Sequence, residues 1–449
     1  MKSPFLIELK HLLKLASPLL AAQLLVTGTS AVDTLMAGRY HANDLAAVAI
    51  GSGIWLPMYL LISGLLIATT SMVARYHGAG DHTSIVSTVQ QSIWLALATA
   101  VPCVFLLLHT ETLLVWLAVD RSFASITEGY LTAVAFGLPG AAIYSSLRSF
   151  TEGMGRTKPF MLSSFVAFLV NIPLNYGLIY GRWGLPELGG AGCGVATAVS
   201  MWLQVGVMWW FTSRPECYEG IQLFQRWLRP DWLKIGQIAR LGLPISIAVF
   251  AEVSIFSAIA LLLAPLGALV VASHQIALSV SHLIFMFPLS LSQAITIRVG
   301  YFLGRNQQPL ANFVVRTGVL ASGLLALTTM TLILTFRHSI VSWYTTDIEV
   351  QAVAAGLFVW MAIYQFPDQI QIASNAALRA YQDTRIPLAL ILLSYWGVAI
   401  PLGITLARTE WLGPPMAAQG FWVALVVGLS LTAVLLGARL YRIARRPLD

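Results

Sequence analysis

Long apolar segments alternate with short polar ones along the whole chain. Twelve of these segments are long enough to cross a bilayer, since about 20 apolar residues span a hydrocarbon core of roughly 30 Å. We expect helices in all of them, because lipid offers no partner for an unpaired backbone group. The predicted spans are 13–37, 46–74, 90–109, 127–147, 159–181, 190–212, 241–263, 269–297, 314–336, 351–376, 386–406 and 416–438.

The longest polar stretch between spans runs from Ser213 to Gln237. It divides the spans into two sets of six. The pattern therefore predicts an N-terminal six-helix lobe at 1–212, a cytoplasmic linker at 213–237 and a C-terminal six-helix lobe at 238–449.

The two sets of spans resemble each other in sequence. Because each set has an even number of spans, the repeat is expected to be parallel, with a pseudo-twofold axis along the membrane normal. In transporters built this way the site lies near the midplane between the repeats, and rocking of the halves alternates access. The matching positions are Pro18 and Pro244, Leu147-Arg148 and Leu378-Arg379, Pro159 and Pro387, and Ile172-Pro173-Leu174 and Ile400-Pro401-Leu402.

Composition and charge agree with an all-α integral membrane fold. Hydrophobic residues make up 57% of the chain and charged residues 10%, against roughly 25% charged in soluble proteins. The net charge of +7 reflects topology, because cytoplasmic loops are enriched in Lys and Arg. With a cytoplasmic N-terminus, all but five of the 26 Lys and Arg residues lie inside. The five outside are Arg39, Arg121, Arg182, Arg337 and Arg408.

This charge distribution predicts a multi-pass protein of a bacterial-type inner (plasma) membrane with both termini in the cytoplasm. It also leaves no need for a nucleic-acid partner. We expect a monomer whose partners are the bilayer and small organic cations.

All but three of the 19 carboxylates lie in loops or at span ends; the three in span interiors are Asp33, Glu252 and Asp368. A charge at the bilayer centre costs roughly 2.5–3.5 kcal/mol, so each is a candidate functional residue. Counting residues from Arg240 and Arg379 places Glu252 and Asp368 at the same depth, about 17 Å from the cytoplasmic boundary. Asp33 belongs to the outer leaflet of the first half. A cation site shared by Glu252 and Asp368 requires that the two acids lie at the same depth, as they are predicted to do.

The surroundings of this acid pair indicate what it binds. Neither acid has a basic residue in the central turns of its own span, and a buried carboxylate without a cationic partner takes up a proton or binds a metal cation. Pro367 cannot donate to the carbonyl of Ile363, and a freed carbonyl beside two carboxylates suits a hard cation such as Na⁺. The alternative is that the acids hydrogen-bond across helices and serve packing.

Energy for transport is expected from an ion gradient. The sequence has no Gly-Lys pair and hence no Walker P-loop, and it lacks a His-Glu-x-x-His metalloprotease motif. We expect no cofactor and no catalysis. The alternative from another functional class is an intramembrane enzyme, in which the acid pair would be catalytic. The internal repeat favours a transporter with alternating access.

Three motifs resemble the multidrug and toxic compound extrusion (MATE) family, in particular its NorM-type branch: AVDTLMAGRY in span 1, FAEVSIF in span 7 and QFPDQI in span 10. The resemblance, over nearly the whole chain, implies that Glu252 and Asp368 form the Na⁺ or H⁺ site. It also implies that Asp33 is tied to substrate and coupling. Further substrate-cavity candidates are Ser52, Gln275, Asp347 and Tyr364, together with Phe285, which stands where some Na⁺-coupled members have Tyr.

The predicted function is a Na⁺- or H⁺-coupled antiporter that exports amphipathic organic cations and drugs by alternating access. The alternative is a flippase for lipid-linked substrates of the same superfamily. Flippases of that kind tend to carry a basic cavity for a diphosphate, whereas the intramembrane charges of this chain are acidic.

Overall fold

The fold is helical throughout the residues described in a computed structural model of the chain, which are 3–116, 120–411 and 413–446. Twelve helices in these ranges are long and apolar enough to cross a membrane, judged by length and composition. The extreme ends of the predicted lobes, residues 1–2 and 447–449, lie outside the described residues.

The helices of the first half extend beyond most of the predicted spans, because amphipathic turns continue past the apolar segments. They are α1 (Pro4–Tyr40), α2 (Ala42–Ala79), α3 (His82–Leu108), the short α4 (Thr110–Trp116), α5 (Arg121–Gly153), α6 (Lys158–Tyr180) and α7 (Gly190–Thr212).

The second half begins within the predicted linker, since residues 232–237 already belong to a helix. Its elements are α8 (Trp232–Leu263), α9 (Ala268–Gly304), α10 (Gln308–Tyr344), α11 (Ile348–Ala380), α12 (Arg385–Leu392), α13 (Ile400–Arg408) and α14 (Ala418–Ala444). A π-helical segment, Leu393–Ala399, joins α12 to α13, and the three together form one span.

Two compact units divide the chain. The N-unit comprises Ser17–Ser246, and the C-unit comprises the residues up to Ala16 together with those from Ile247 onward. The chain therefore passes from one unit to the other within α1 and again within α8. Pro18 and Pro244, which the repeat relates, lie within two residues of these boundaries.

The N-unit is built around close contacts between α2, α5 and α7. A Cβ atom on Gly137 of α5 would lie 2.7 Å from the Cα of Ala198 of α7, so glycine is required at this crossing. The first part of α8 packs on α2, where the Ser246 hydroxyl donates to the Leu61 carbonyl at 2.7 Å. The crossing of α5 and α7 positions the helix that carries Thr197, a hydrogen-bond partner of Asp33.

Part of the linker is folded against α3 in the N-unit. The Gln90 amide donates to the carbonyl of Arg226 at 2.9 Å and accepts from the Leu228 amide at 2.7 Å. Gln91 makes an equivalent pair of bonds to Arg229 and Asp231. The backbone of this polar segment is thus satisfied by side chains of a neighbouring helix.

The C-unit has α11 at its centre, in contact with α9, α10 and α14. Phe358, Phe421 and Trp422 are among its largest buried side chains. The first turns of α1 are tied to α9 by a bidentate ion pair, in which Arg298 donates to the two oxygens of Glu8 at 2.9 and 2.6 Å. This packing places α11 and its polar face inside the unit.

Candidate functional site

The C-unit brings Glu252 and Asp368 together. They lie on α8 and α11, and their charges are close enough to interact. Gln371, one turn beyond Asp368, donates to Asp368 Oδ1 at 3.4 Å and lies near Glu252. The two acids thus belong to one polar cluster, and their sharing of a cation stays a prediction.

Two tyrosine hydroxyls complete the surroundings of the acid pair. Gln371 Nε2 also donates to Tyr395 Oη at 3.3 Å. Tyr364 lies within electrostatic range of Asp368, and its hydroxyl is 2.6 Å from Ser281 Oγ. Tyr395 belongs to the π-helical segment, and such segments often occur at functional sites because the extra residue redirects side chains.

Glu252 has a charged neighbour on another helix. The sequence places no basic residue in the central turns of its own span, and Arg379 of α11 lies within electrostatic range of it. Counting residues along a single span cannot reveal a neighbour on another one.

The ligand atoms of this site suit a hard cation. Glu252 Oε1 and Gln371 Oε1 are both buried and have no hydrogen-bond partner among the described residues. Together with the Asp368 carboxylate they supply oxygens of the kind that Na⁺ prefers. A proton on either carboxylate would be an equally suitable occupant, since a protonated acid donates to a free amide oxygen.

Asp33 forms a separate polar cluster in the N-unit. Its carboxylate accepts from Asn175 Nδ2 at 2.6 Å and from Thr197 Oγ1 at 3.2 Å. Asn175 Nδ2 also donates to Asn171 Oδ1 at 2.8 Å. Asn171 Nδ2 and Asn175 Oδ1 are buried without a partner among the described residues. This cluster therefore retains one free donor and one free acceptor next to the acid.

The substrate-cavity candidates are dispersed. Ser52 is a partly exposed residue of α2 in the N-unit and donates to the Ala49 carbonyl at 3.0 Å. In the C-unit, Gln275 is exposed and Phe285 is partly buried on α9. Asp347 caps α11 by accepting from the amides of Glu349 and Val350 at 2.9 and 3.3 Å. Tyr364 is the candidate that lies beside the acid pair.

Sequence reasoning missed two side chains that hydrogen-bond to these acids, Gln371 and Thr197, and a third, Ser281, that contacts Tyr364. Gln371 is three residues from Asp368, a helical spacing that could have indicated it. Thr197 lies in a helix rich in small residues and Ser281 in an apolar helix. The sequence around neither residue indicates a role in a polar cluster.

Comparisons with known proteins agree with this architecture. The MatE family model matches residues 18–177 and 244–405, one segment in each half. Multidrug resistance protein PmpM of Pseudomonas aeruginosa is 45% identical over 98% of this chain and 92% of its own length. A probable multidrug resistance protein NorM of Idiomarina loihiensis is 40% identical over 98% of this chain and 95% of its own length.

Solved structures show the same fold at lower identity. The eukaryotic MATE transporter AtDTX14 superposes with a TM-score of 0.87 at 22% identity, covering 99% of this chain and 98% of its own. An outward-facing MATE transporter of the MOP superfamily gives a TM-score of 0.86 at 17% identity over 98% and 97%. With the family match over both halves and the identity to full-length relatives, the chain belongs to the MatE family of membrane transporters.

Proposed function

We propose that the protein is a cation-coupled antiporter that exports amphipathic organic cations and drugs, with Na⁺ or H⁺ as the coupling ion. The observation that carries the proposal is the acid pair of Glu252 and Asp368 around Gln371 in the C-unit. The relatives are named as multidrug resistance proteins, which supports drug export.

Alternating access follows from the nature of the coupling. An antiporter must expose one site to cation and drug in turn, and binding of either must favour a different conformation. Two compact units joined through α1 and α8 are suited to such a change. The protein would act as a monomer in the inner membrane with both termini in the cytoplasm, and it would need no cofactor.

Acidic residues in both units favour positively charged substrates. Asp33 is buried beside amide and hydroxyl donors, and an organic cation can also rest on aromatic faces. A flippase for a lipid diphosphate would need clustered basic residues at its site. The two sites described here are instead built around acidic residues.

The test is dye efflux from inverted membrane vesicles, with a pH gradient and a Na⁺ gradient imposed separately. We expect one of the gradients to drive accumulation of a monovalent planar cationic dye in the vesicles. An anionic dye of the same size should not be transported. Equal transport of the two dyes would remove the electrostatic basis for the substrate class. Transport that depends on neither the pH gradient nor the Na⁺ gradient would contradict cation coupling.

A further inference from the structure

The linker between α7 and α8 presents an exposed surface that is both basic and apolar. Between residues 226 and 240 it carries four basic residues and one acid. Arg226 and Arg229 are exposed and have no ion-pair partner among the described residues. Trp232 and Leu233, in the first turn of α8, are 77% and 81% exposed. These four residues, called the linker face, are complementary to a partner that is anionic at one end and apolar at the other.

The backbone of the linker face is held in place by α3. Trp94 Nε1 of α3 donates to the Leu228 carbonyl at 3.1 Å, in addition to the glutamine bonds described above. The ring of Trp227 packs edge-on against that of Trp94, with centroids 6.0 Å apart. Arg226 and Arg229 therefore extend from a backbone that is fixed by side chains of a membrane-spanning helix.

Contacts with α3 also place the linker face at the depth of lipid headgroups. The apolar segment of α3 begins at residue 90. Ser87 lies three residues outside it, about 4.5 Å along the helix, and its hydroxyl accepts from Lys234 Nζ at 2.8 Å. The headgroup region on each side of the hydrocarbon core is about 5–8 Å deep. Exposed Trp side chains are typical of this layer.

Two acids lie close to the linker face, and both are bound to backbone amides. Asp231 caps α8 by accepting from the amides of Leu233 and Lys234 at 3.0 and 3.3 Å. Asp81, whose charge interacts with that of Lys234, caps α3 by accepting from the Ser84 amide at 2.9 Å. Together they balance half of the four basic charges, so the surface stays positive.

We propose that the linker face binds an anionic phospholipid, whose phosphate contacts Arg226 and Arg229 and whose upper acyl chains contact Trp232 and Leu233. A guanidinium can form paired hydrogen bonds to phosphate oxygens, and clusters of basic residues next to a membrane span bind anionic lipids. The apolar pair selects a lipid over a free phosphate. This inference depends on the membrane-spanning fold and is independent of cation coupling, so either can fail while the other stands.

The test measures lipid binding to the purified full-length protein in a neutral detergent. Native mass spectrometry gives the affinity for dioleoyl phosphatidylglycerol, with dioleoyl phosphatidylcholine as the comparison without net charge and glycerol 3-phosphate as the free phosphate. We expect phosphatidylglycerol to bind more tightly than either. Its affinity should fall about 30-fold in Arg226→Gln with Arg229→Gln, because each basic residue at an anionic lipid surface contributes about fivefold.

Two further variants separate the linker face from total charge. Arg442→Gln with Arg446→Gln removes two exposed charges at the end of α14, which is predicted to lie on the same side of the membrane, and it should leave the affinity for phosphatidylglycerol unchanged. Trp232→Ser with Leu233→Ser keeps both arginines. It should weaken binding of phosphatidylglycerol but not of glycerol 3-phosphate.

Equal losses in the linker and α14 variants would show that net charge alone attracts the lipid, and would overturn the inference. Equal affinity for the two phospholipids would also overturn it. If the arginine variant does not fold, the Trp232 and Leu233 variant decides, because both side chains are exposed and can be replaced without disturbing the core. Unchanged binding of phosphatidylglycerol in that folded variant would remove the lipid from the linker face.

Discussion

At the scale of single residues, the buried acids differ in what neutralises them. Glu8 is held by a bidentate bond to Arg298, a fixed ion pair that serves packing. Asp368 instead accepts from the neutral donor Gln371, and Glu252 Oε1 has no hydrogen-bond partner among the described residues. A carboxylate held by neutral groups can accept a cation without first breaking a short ion pair, which is why these two acids are the candidates for coupling.

Gln371 should matter for cation binding more than for folding. In Gln371→Met, Asp368 and Tyr395 lose their shared donor, which costs roughly 1–3 kcal/mol for each polar group left unpaired. Cation affinity should fall accordingly. Gln369→Met is the control, because Gln369 is equally buried on the same helix but donates to Thr329 at 3.1 Å. Equal losses of cation affinity in the two variants would deny Gln371 a special role.

Asp33 should be separable from the cation site. Asp33→Asn keeps the shape of the side chain but removes the charge, and Asn175 and Thr197 can still hydrogen-bond to its carbonyl oxygen. We expect efflux to be impaired while cation binding to the C-unit remains measurable. Loss of cation binding in this variant would show that the two acids form one functional group.

The sequence predicted which acids are unusual, because an ionised group in an apolar span is costly wherever its neighbours lie. It did not predict their neighbours. Thr197 reaches Asp33 from a helix that is distant in sequence, whereas Gln371 follows Asp368 by three residues on the same helix. Asp347, proposed from resemblance, is positioned by a local helix cap, so its role in a drug cavity stays a prediction.

At the scale of elements, hydrophobic patterning found every span but not its irregularities. The extra turns at the helix ends carry polar residues, so the length of an apolar segment underestimates the length of its helix. The π-helical segment Leu393–Ala399 could not be predicted from the hydrophobic pattern. An extra residue in a turn of an entirely apolar stretch does not alter the order of apolar and polar positions. The repeat, by contrast, was visible because a proline and an Ile-Pro-Leu tripeptide recur in one frame, with a Leu-Arg pair nearby.

Pro18 and Pro244 are expected to let α1 and α8 change their bend. Each lacks the amide that would bond to the carbonyl four residues earlier, and each lies where its helix passes between the units. Pro18→Ala and Pro244→Ala should each slow efflux, with thermal stability equal or higher. Pro102→Ala in α3, within the N-unit, is the control. Normal efflux in all three variants would exclude a hinge role.

At the scale of the whole molecule, topology can be tested with few substitutions. Cys217 is exposed in the linker and should react only with membrane-permeant thiol reagents in intact cells. Arg182→Cys, in the exposed loop after α6, should react with impermeant reagents. The reverse pattern would place the termini outside and would also invalidate the depths estimated for the acids.

The central claim is that Glu252 and Asp368 act as one coupling site. The most direct measurement compares ion-driven efflux and cation binding in Glu252→Gln, Asp368→Asn and the double variant, at matched expression. Residues that act as a unit are non-additive, so each single variant should abolish coupling and the double variant should be little worse. Folding should survive, because neutralising buried acids removes a desolvation cost. If Glu252→Gln transports normally at full expression, the shared site is wrong, Glu252 is a packing residue, and Asp33 becomes the leading candidate for the coupling acid.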